Sequence, residues 1–111
     1  MEKPLRGEVV VVRFPFSDFS DSKRRPALVI ASLPGRDSIL CQITSQKTRD
    51  SYSIPLSEKD FSMGSLHQRS NVRPNKLFTA DNSIILYRAG TLGKEKTAEI
   101  VEKICSIIRE A

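Results

Sequence analysis

Two arginines, two hydroxyls and an amide stand where apolar runs begin or end: Arg25 before Pro26, Thr44 and Ser45 after DSILCQI, and Arg73 and Asn75 on either side of Pro74. With a pKa above about 12, arginine is a poor base. It is well suited to neutralise the charge that builds on a phosphorane-like transition state, where a fixed donor acts more strongly than in solvent. Such a set can serve cleavage of RNA, whose own 2′-OH supplies the nucleophile; DNA has none to offer. The protein then has to align that group, stabilise charge and protonate the leaving 5′ oxygen. Neither a metal nor a histidine is required in principle. Gln46 extends the hydrogen-bonding run of Thr44 and Ser45, while Lys23, Arg24 and Lys76 are free to follow backbone phosphates.

The same residues also admit a plain structural reading. Lys23 to Arg25 can be a solvated strand cap, Thr44 and Ser45 can cap a turn, and Asn75 can make its own Asx-type bond. His67, the one histidine, falls in the weakly patterned LHQRS stretch and reads as a surface or loop-tethering residue. No Gly-rich phosphate loop, HExxH, nucleophile elbow or paired-carboxylate signature occurs. Cys41 and Cys105 sit in apolar settings without metal-ligand spacing and read as two buried thiols in a reducing compartment.

Placing these side chains falls mostly to strands. KRRPALVIA, Lys23 to Ala31, runs three cations and a proline straight into an apolar strand, so core meets surface near Arg25. Pro26 biases Arg25 toward an extended conformation and gives its guanidinium a stiff mount. Upstream, VVVVRF (Val9 to Phe14) reads as a strand covered on both faces, ended by Pro15. Phe16 to Lys23 reads as a loop pinned by its own aromatics. Leu33 to Arg36 is a turn. DSILCQIT then alternates, with Ile39, Cys41 and Ile43 toward the core and Ser38, Gln42 and Thr44 on the other side. Ser53 to Leu56 reads as a short edge strand. Ser57 to Ser70 reads as a loop with one or two anchors and a helical turn at Glu58 to Phe61. Pro74 makes Asn71 to Thr79 an edge or bulged strand from which Arg73 and Asn75 project together. After a turn at Ala80 to Ser83 come a strand at Ile84 to Ala89 and a bend at Gly90. From Lys94 the apolar residues Ile100, Val101, Ile104, Ile107 and Ile108 recur at helical spacing. Five or six short strands and one terminal helix predict a compact β barrel or rolled sheet with a helix packed on it.

The chain of 111 residues has room for one domain, residues 1–111, with one modest core. Its 18 Lys and Arg against 13 Asp and Glu leave a net charge of +5, which suits a polyanionic partner. No Trp, five Phe and two Tyr supply a stacking platform for single strands poorly. No run has transmembrane length, so the expectation is a cytoplasmic protein without a membrane partner.

RGEVVVVRF, RRPALVI, LCQITS and NVRPNKLFTAD together resemble the MazF/PemK-like family of toxins from bacterial toxin–antitoxin pairs, from Arg6 to the final helix. The specificity lies in the combination of Gly7, Arg25-Pro26, Ile43 to Gln46 and Val72-Arg73. The resemblance implies a mainly β fold, a small SH3-like barrel with a C-terminal amphipathic helix, acting as a homodimer. It further implies cleavage of single-stranded RNA at short motifs without metal or cofactor, and silencing by a cognate antitoxin whose acidic, disordered segment lies across the groove. On this basis Arg25, Thr44 and Arg73 are the catalytic candidates; Ser45, Gln46, Asn75, Lys23, Arg24 and Lys76 are the substrate-binding ones. Asn75 stands where the PemK-type branch has an acid–base aspartate, and an amide can orient a 2′-OH but not accept its proton. Asp18 and Asp21 occupy the first loop, where many members carry a Glu. Two other readings remain: a non-catalytic RNA-binding member, and a gyrase-targeting toxin on the same type of barrel.

Overall fold

A computed structural model describes residues 3–14 and 23–111, with Phe14 through its backbone only. The loop expected from Phe16 onward therefore lies outside the described residues, apart from Lys23. Seven strands follow in order: β1 (Glu8–Phe14), β2 (Lys23–Ser32), β3 (Asp37–Thr44), β4 (Ile54–Leu56), β5 (Phe61–Gly64), β6 (Ser70–Asp81) and β7 (Ile85–Leu92). The helix α1 (Lys94–Glu110) ends the chain, and short 3-10 turns occupy Glu58–Asp60 and Asn82–Ile84.

All strand pairings are antiparallel, in the order β4-β6-β3-β2-β1-β7-β5. The sheet curls around α1 but does not close, since its end strands β4 and β5 pair with no strand beyond them among the described residues. The expected barrel is thus a half-barrel. Two cores lie on its two faces. On the helix side Val9, Leu28, Cys41 and Val72 meet Ile100 and Ile104 of α1; on the other, Val10, Val12, Ala27, Val29, Leu40 and Ile85 form a second cluster. The unbroken apolar runs of β1 and β2 are the imprint of this double coverage.

Several expectations change. Among the described residues the strands number seven, because Phe61–Gly64, expected as loop, pairs with β7. The feature that admits it is Gly90: a Cβ there would stand 2.6 Å from the Met63 carbonyl oxygen and 2.9 Å from the Phe61 ring. Gly90 therefore lies inside β7, where it permits close approach of β5, and marks no bend between strands. The outer side of β3 is not open: Ser38 is fully buried with Leu40, and its hydroxyl donates to Asn82 Oδ1 at 2.7 Å. β6 is not an edge strand, being paired with β3 on one side and β4 on the other. It is bulged as expected, for its register to β3 jumps from Val72 opposite Ile43 to Leu77 opposite Cys41. Pro74 sits inside this interruption, where no ladder donor is needed. Cys105 is half-buried, whereas Cys41 is buried.

Candidate active site

The start of β2, the end of β3 and the start of β6 lie at one end of the curled sheet. Thr44 is opposite Asn71 on β6, and Ala27 is opposite Gln42 on β3. Carrying the second register on by two residues aligns Arg25 with Thr44. Alternation puts Arg25 on the face of Ala27 and Val29, and puts Thr44, Asn71 and Arg73 on that same face, because their neighbours Ile43 and Val72 point into the helix-side core. The three catalytic candidates thus share one face and one end of the sheet. Arg25 is exposed and stands opposite Val12 of β1.

The centre of the arrangement is a residue that no local sequence pattern singles out. Asp50, between β3 and β4, accepts a 2.7 Å bond from Arg73 Nη2 and a 3.4 Å bond from Asn75 Nδ2 at the same oxygen, Oδ2. Its other oxygen accepts from the backbone N–H of Tyr52 at 3.0 Å. Both members of the ion pair are largely covered, with side chains 25% and 23% exposed for Arg73 and Asp50. The Arg73 guanidinium, above all, holds the Asp50 carboxyl below the usual carboxylate range, with the Tyr52 amide assisting. Arg73 Nε is buried without a hydrogen-bond partner among the described residues, so donor capacity remains.

Arg73 is also held from behind. Burial pushes the Cys41 thiol up to about 12, and the protonated sulfur donates to the Arg73 carbonyl oxygen at 2.9 Å. That carbonyl lies in the β6 bulge, between the Val72 and Leu77 pairings of the ladder to β3. Thr44 Oγ1 accepts from the Gln46 amide at 3.1 Å, which leaves its own O–H to donate elsewhere. Asn71 Nδ2 reaches the Gln46 carbonyl at 3.4 Å and folds the Thr44 to Gln46 turn back onto β6.

Of the substrate-binding candidates, Asn75 joins the Asp50 cluster, and Ser45 and Gln46 are exposed directly after Thr44. Lys76 is exposed on β6 and takes no part in the cluster; Lys23 and Arg24 are exposed at the start of β2, opposite Phe14 and Arg13. His67 is exposed in the β5–β6 loop at φ 58°, its amide bonded to Ser65 Oγ at 2.8 Å, a loop-tethering role. No group of three His, Cys, Asp or Glu side chains is gathered as for a metal ion among the described residues. Nor, among them, is any helix long and apolar enough to cross a membrane. The one local signal for Asp50 was D-S-Y, an Asx-turn pattern, and it carries no hint of an arginine 23 positions away.

No curated protein matches the chain significantly by sequence. The fold has many solved counterparts. A MazE–MazF crystal structure (Form-III) from Deinococcus radiodurans superposes with TM-score 0.77 at 20% identity, covering 99% of this chain and 100% of that one. MazF (Form-I) from the same organism gives 0.76 at 21% identity, with 98% and 99% covered. Mycobacterium tuberculosis toxin MazF-mt6 gives 0.72 at 15% identity, with 92% and 96% covered. At these identities the likeness establishes the fold. Residues 5–108, nearly the whole chain, match the family described as PemK-like, MazF-like toxins of type II toxin–antitoxin systems, and to that family the chain belongs.

Proposed function

We propose that this toxin is an endoribonuclease that cuts single-stranded RNA through the substrate's own 2′-OH, without a metal ion. The observation that carries this reading is the half-buried Asp50–Arg73 pair, joined by the exposed Asn75, on the sheet face shared with Thr44 and Arg25. A cation fixed in this way can meet the charge of a pentacoordinate phosphorus without reorganising as it develops. Arg25 and Arg73 serve as the charge-stabilising pair, and the free Thr44 O–H as a neutral donor to a phosphate oxygen. The acid–base aspartate that the resemblance places at position 75 is an amide here, and Asp50 brings a carboxylate to the same spot from the β3–β4 loop. Asp50 acts as a positioning residue that aims Arg73. Similar proteins include a mycobacterial endoribonuclease in complex with its cognate antitoxin, which supports both the activity and an antitoxin partner for this chain. The functional unit is a homodimer in the cytoplasm, and the acidic segment of its antitoxin competes with RNA for the same cations.

The test is single-turnover cleavage of a long single-stranded RNA with mapping of the ends. Cutting should survive EDTA, leave a cyclic or 3′ phosphate and a 5′-OH, and fail where 2′-deoxyribose replaces the nucleotide 5′ to the cut. Arg25→Ala and Arg73→Ala should each slow it about 100-fold or more, the scale of losing one fixed donor to a developing oxyanion. The second reading, a non-catalytic RNA-binding member, draws on the amide at Asn75 and on the neutralisation of Arg73 by Asp50. Binding without any cutting by the natural protein would select it.

A further inference from the structure

We infer a second, phosphate-binding cleft that holds single-stranded RNA to one side of the cut; the inference rests on the reading of this chain as an RNA-cutting toxin. The loop after β3, the edge strand β4, the β5–β6 loop and the first turn of α1 enclose a cleft of about 500 Å³, within the range of ligand-sized sites. Four cations line it: Lys47, Lys59, Arg69 and Lys96. An adjoining cleft shares Lys59 and Arg69, carries one carboxylate, Glu58, among the described residues, and continues to His67 and Gln68.

The charge balance here is one-sided. Among the described residues the only carboxylate on the wall of the first cleft is Asp60, which is engaged by the Ser57 amide at 2.8 Å and by Lys96 at 3.8 Å; Lys96 also meets Glu99 at 3.2 Å. Lys47, Lys59 and Arg69 enter no ion pair among the described residues. Three like charges around one hollow repel each other, and a polyanion relieves that repulsion.

Continuity identifies which polyanion. Ser45 and Asn71 belong to the cleft wall, and they adjoin or face Thr44 of the candidate active site. A strand leaving the site along β4 therefore meets Lys47 and then Lys59 and Arg69. An acidic protein segment that folds on binding needs apolar anchors to offset its ordering. The apolar residues on the wall of this cleft are Pro55 and the buried Leu56, and none of the exposed large apolar side chains, among them Met63, Tyr87 and Ile108, lines it. The backbone of a nucleic acid strand needs only the cations.

The experiment uses the full chain and a single strand whose 2′-hydroxyls are all replaced by fluorine, so that it binds uncut, with anisotropy followed as salt is raised. The K47A/K59A/R69A variant should lower the slope of log affinity against log salt by about two, since each phosphate contact on a single strand contributes about 0.7. The R36A/K94A/R109A variant, with the same charge removed elsewhere, should keep most of the natural slope. R69A alone should lose about 0.7 of a unit and serves if the triple variant fails to fold. Equal slopes for the two triple variants overturn the inference. So does a cleft variant that still binds the strand normally but no longer binds poly-glutamate, which would assign the cleft to an acidic protein segment. A natural protein that shows the slope difference but cuts no RNA retains the cleft and rejects the nuclease reading, so the two failures are distinct.

Discussion

Asp50 decides how Arg73 is presented, and its contribution can be isolated because the two residues meet through one short bond. Asp50→Asn keeps the shape but discards the charge, and a loosened guanidinium should slow cleavage roughly ten- to a hundredfold, the cost of a misplaced catalytic group. The effect should follow pH in a defined direction. A carboxyl held low by Arg73 contributes stability that is fully present above its ordinary pKa of about 3.9 and is lost as pH falls through the lowered value. The difference in urea midpoint between natural protein and Asp50→Asn should accordingly be constant near neutrality and shrink below about pH 4. A difference that grows on acidification would show that Asp50 does not bear its charge in this tie. Cys41 offers a second check. Its thiol, pushed up to about 12, should resist iodoacetamide in the folded protein. Cys41→Ala should lose about 2 kcal/mol by removing the thiol donor to the Arg73 carbonyl and leaving a small cavity behind, read as a shift in denaturant midpoint.

At the scale of elements, the bulge in β6 and the closeness of β5 to β7 do most to shape the molecule. The bulge frees residues 73 to 76 from the ladder, so that Arg73 and Asn75 can reach a loop while Pro74 is buried between them. The β5–β7 contact depends on Gly90 having no side chain. Gly90→Ala should destabilise the protein by about 1–3 kcal/mol, the usual cost of overpacking, because the intruding atom meets the Met63 carbonyl and not merely a movable side chain. Urea denaturation measures this, and an unchanged midpoint would mean that β5 detaches without consequence. The helix is held by one face. Ile100 and Ile104 are buried in the core between the sheet and α1, while Ile108, at 68% exposure, is free for a partner surface.

For the whole molecule, an open sheet leaves the outer edges of β4 and β5 unpaired by any described strand, and Met63 on β5 is 70% exposed. A second copy is the economical cover for such an edge and lengthens the binding surface for a strand. Sedimentation at micromolar protein should give twice the 12.5 kDa chain mass. A purely monomeric species that still cuts RNA would remove the dimer from the mechanism. The net charge of +5 acts at this scale as well, drawing any polyanion toward the surface before particular side chains select it.

The elements whose side chains repeat with a clear period or run unbroken are legible in the residues alone: β1 and β2 through their apolar runs, and α1 through its helical spacing. So are Arg25, Thr44 and Arg73, because prolines and strand ends restrict the backbone locally and those restrictions are written in adjacent residues. What depends on residues distant along the chain is set by the packing of the folded molecule. β3 is buried on both faces although its alternation suggests one, since Leu40 joins a second cluster with Val10, Val29 and Ile85, and the buried Ser38 bonds Asn82. β5 exists as a strand because Gly90, some 26 residues after Gly64, leaves room for it. Asp50 meets Arg73 because β3 and β6 lie side by side, so that the loop leaving one falls on the bulge of the other. A charge pair of this kind depends on distance in space, and distance in space depends on how the whole sheet curls.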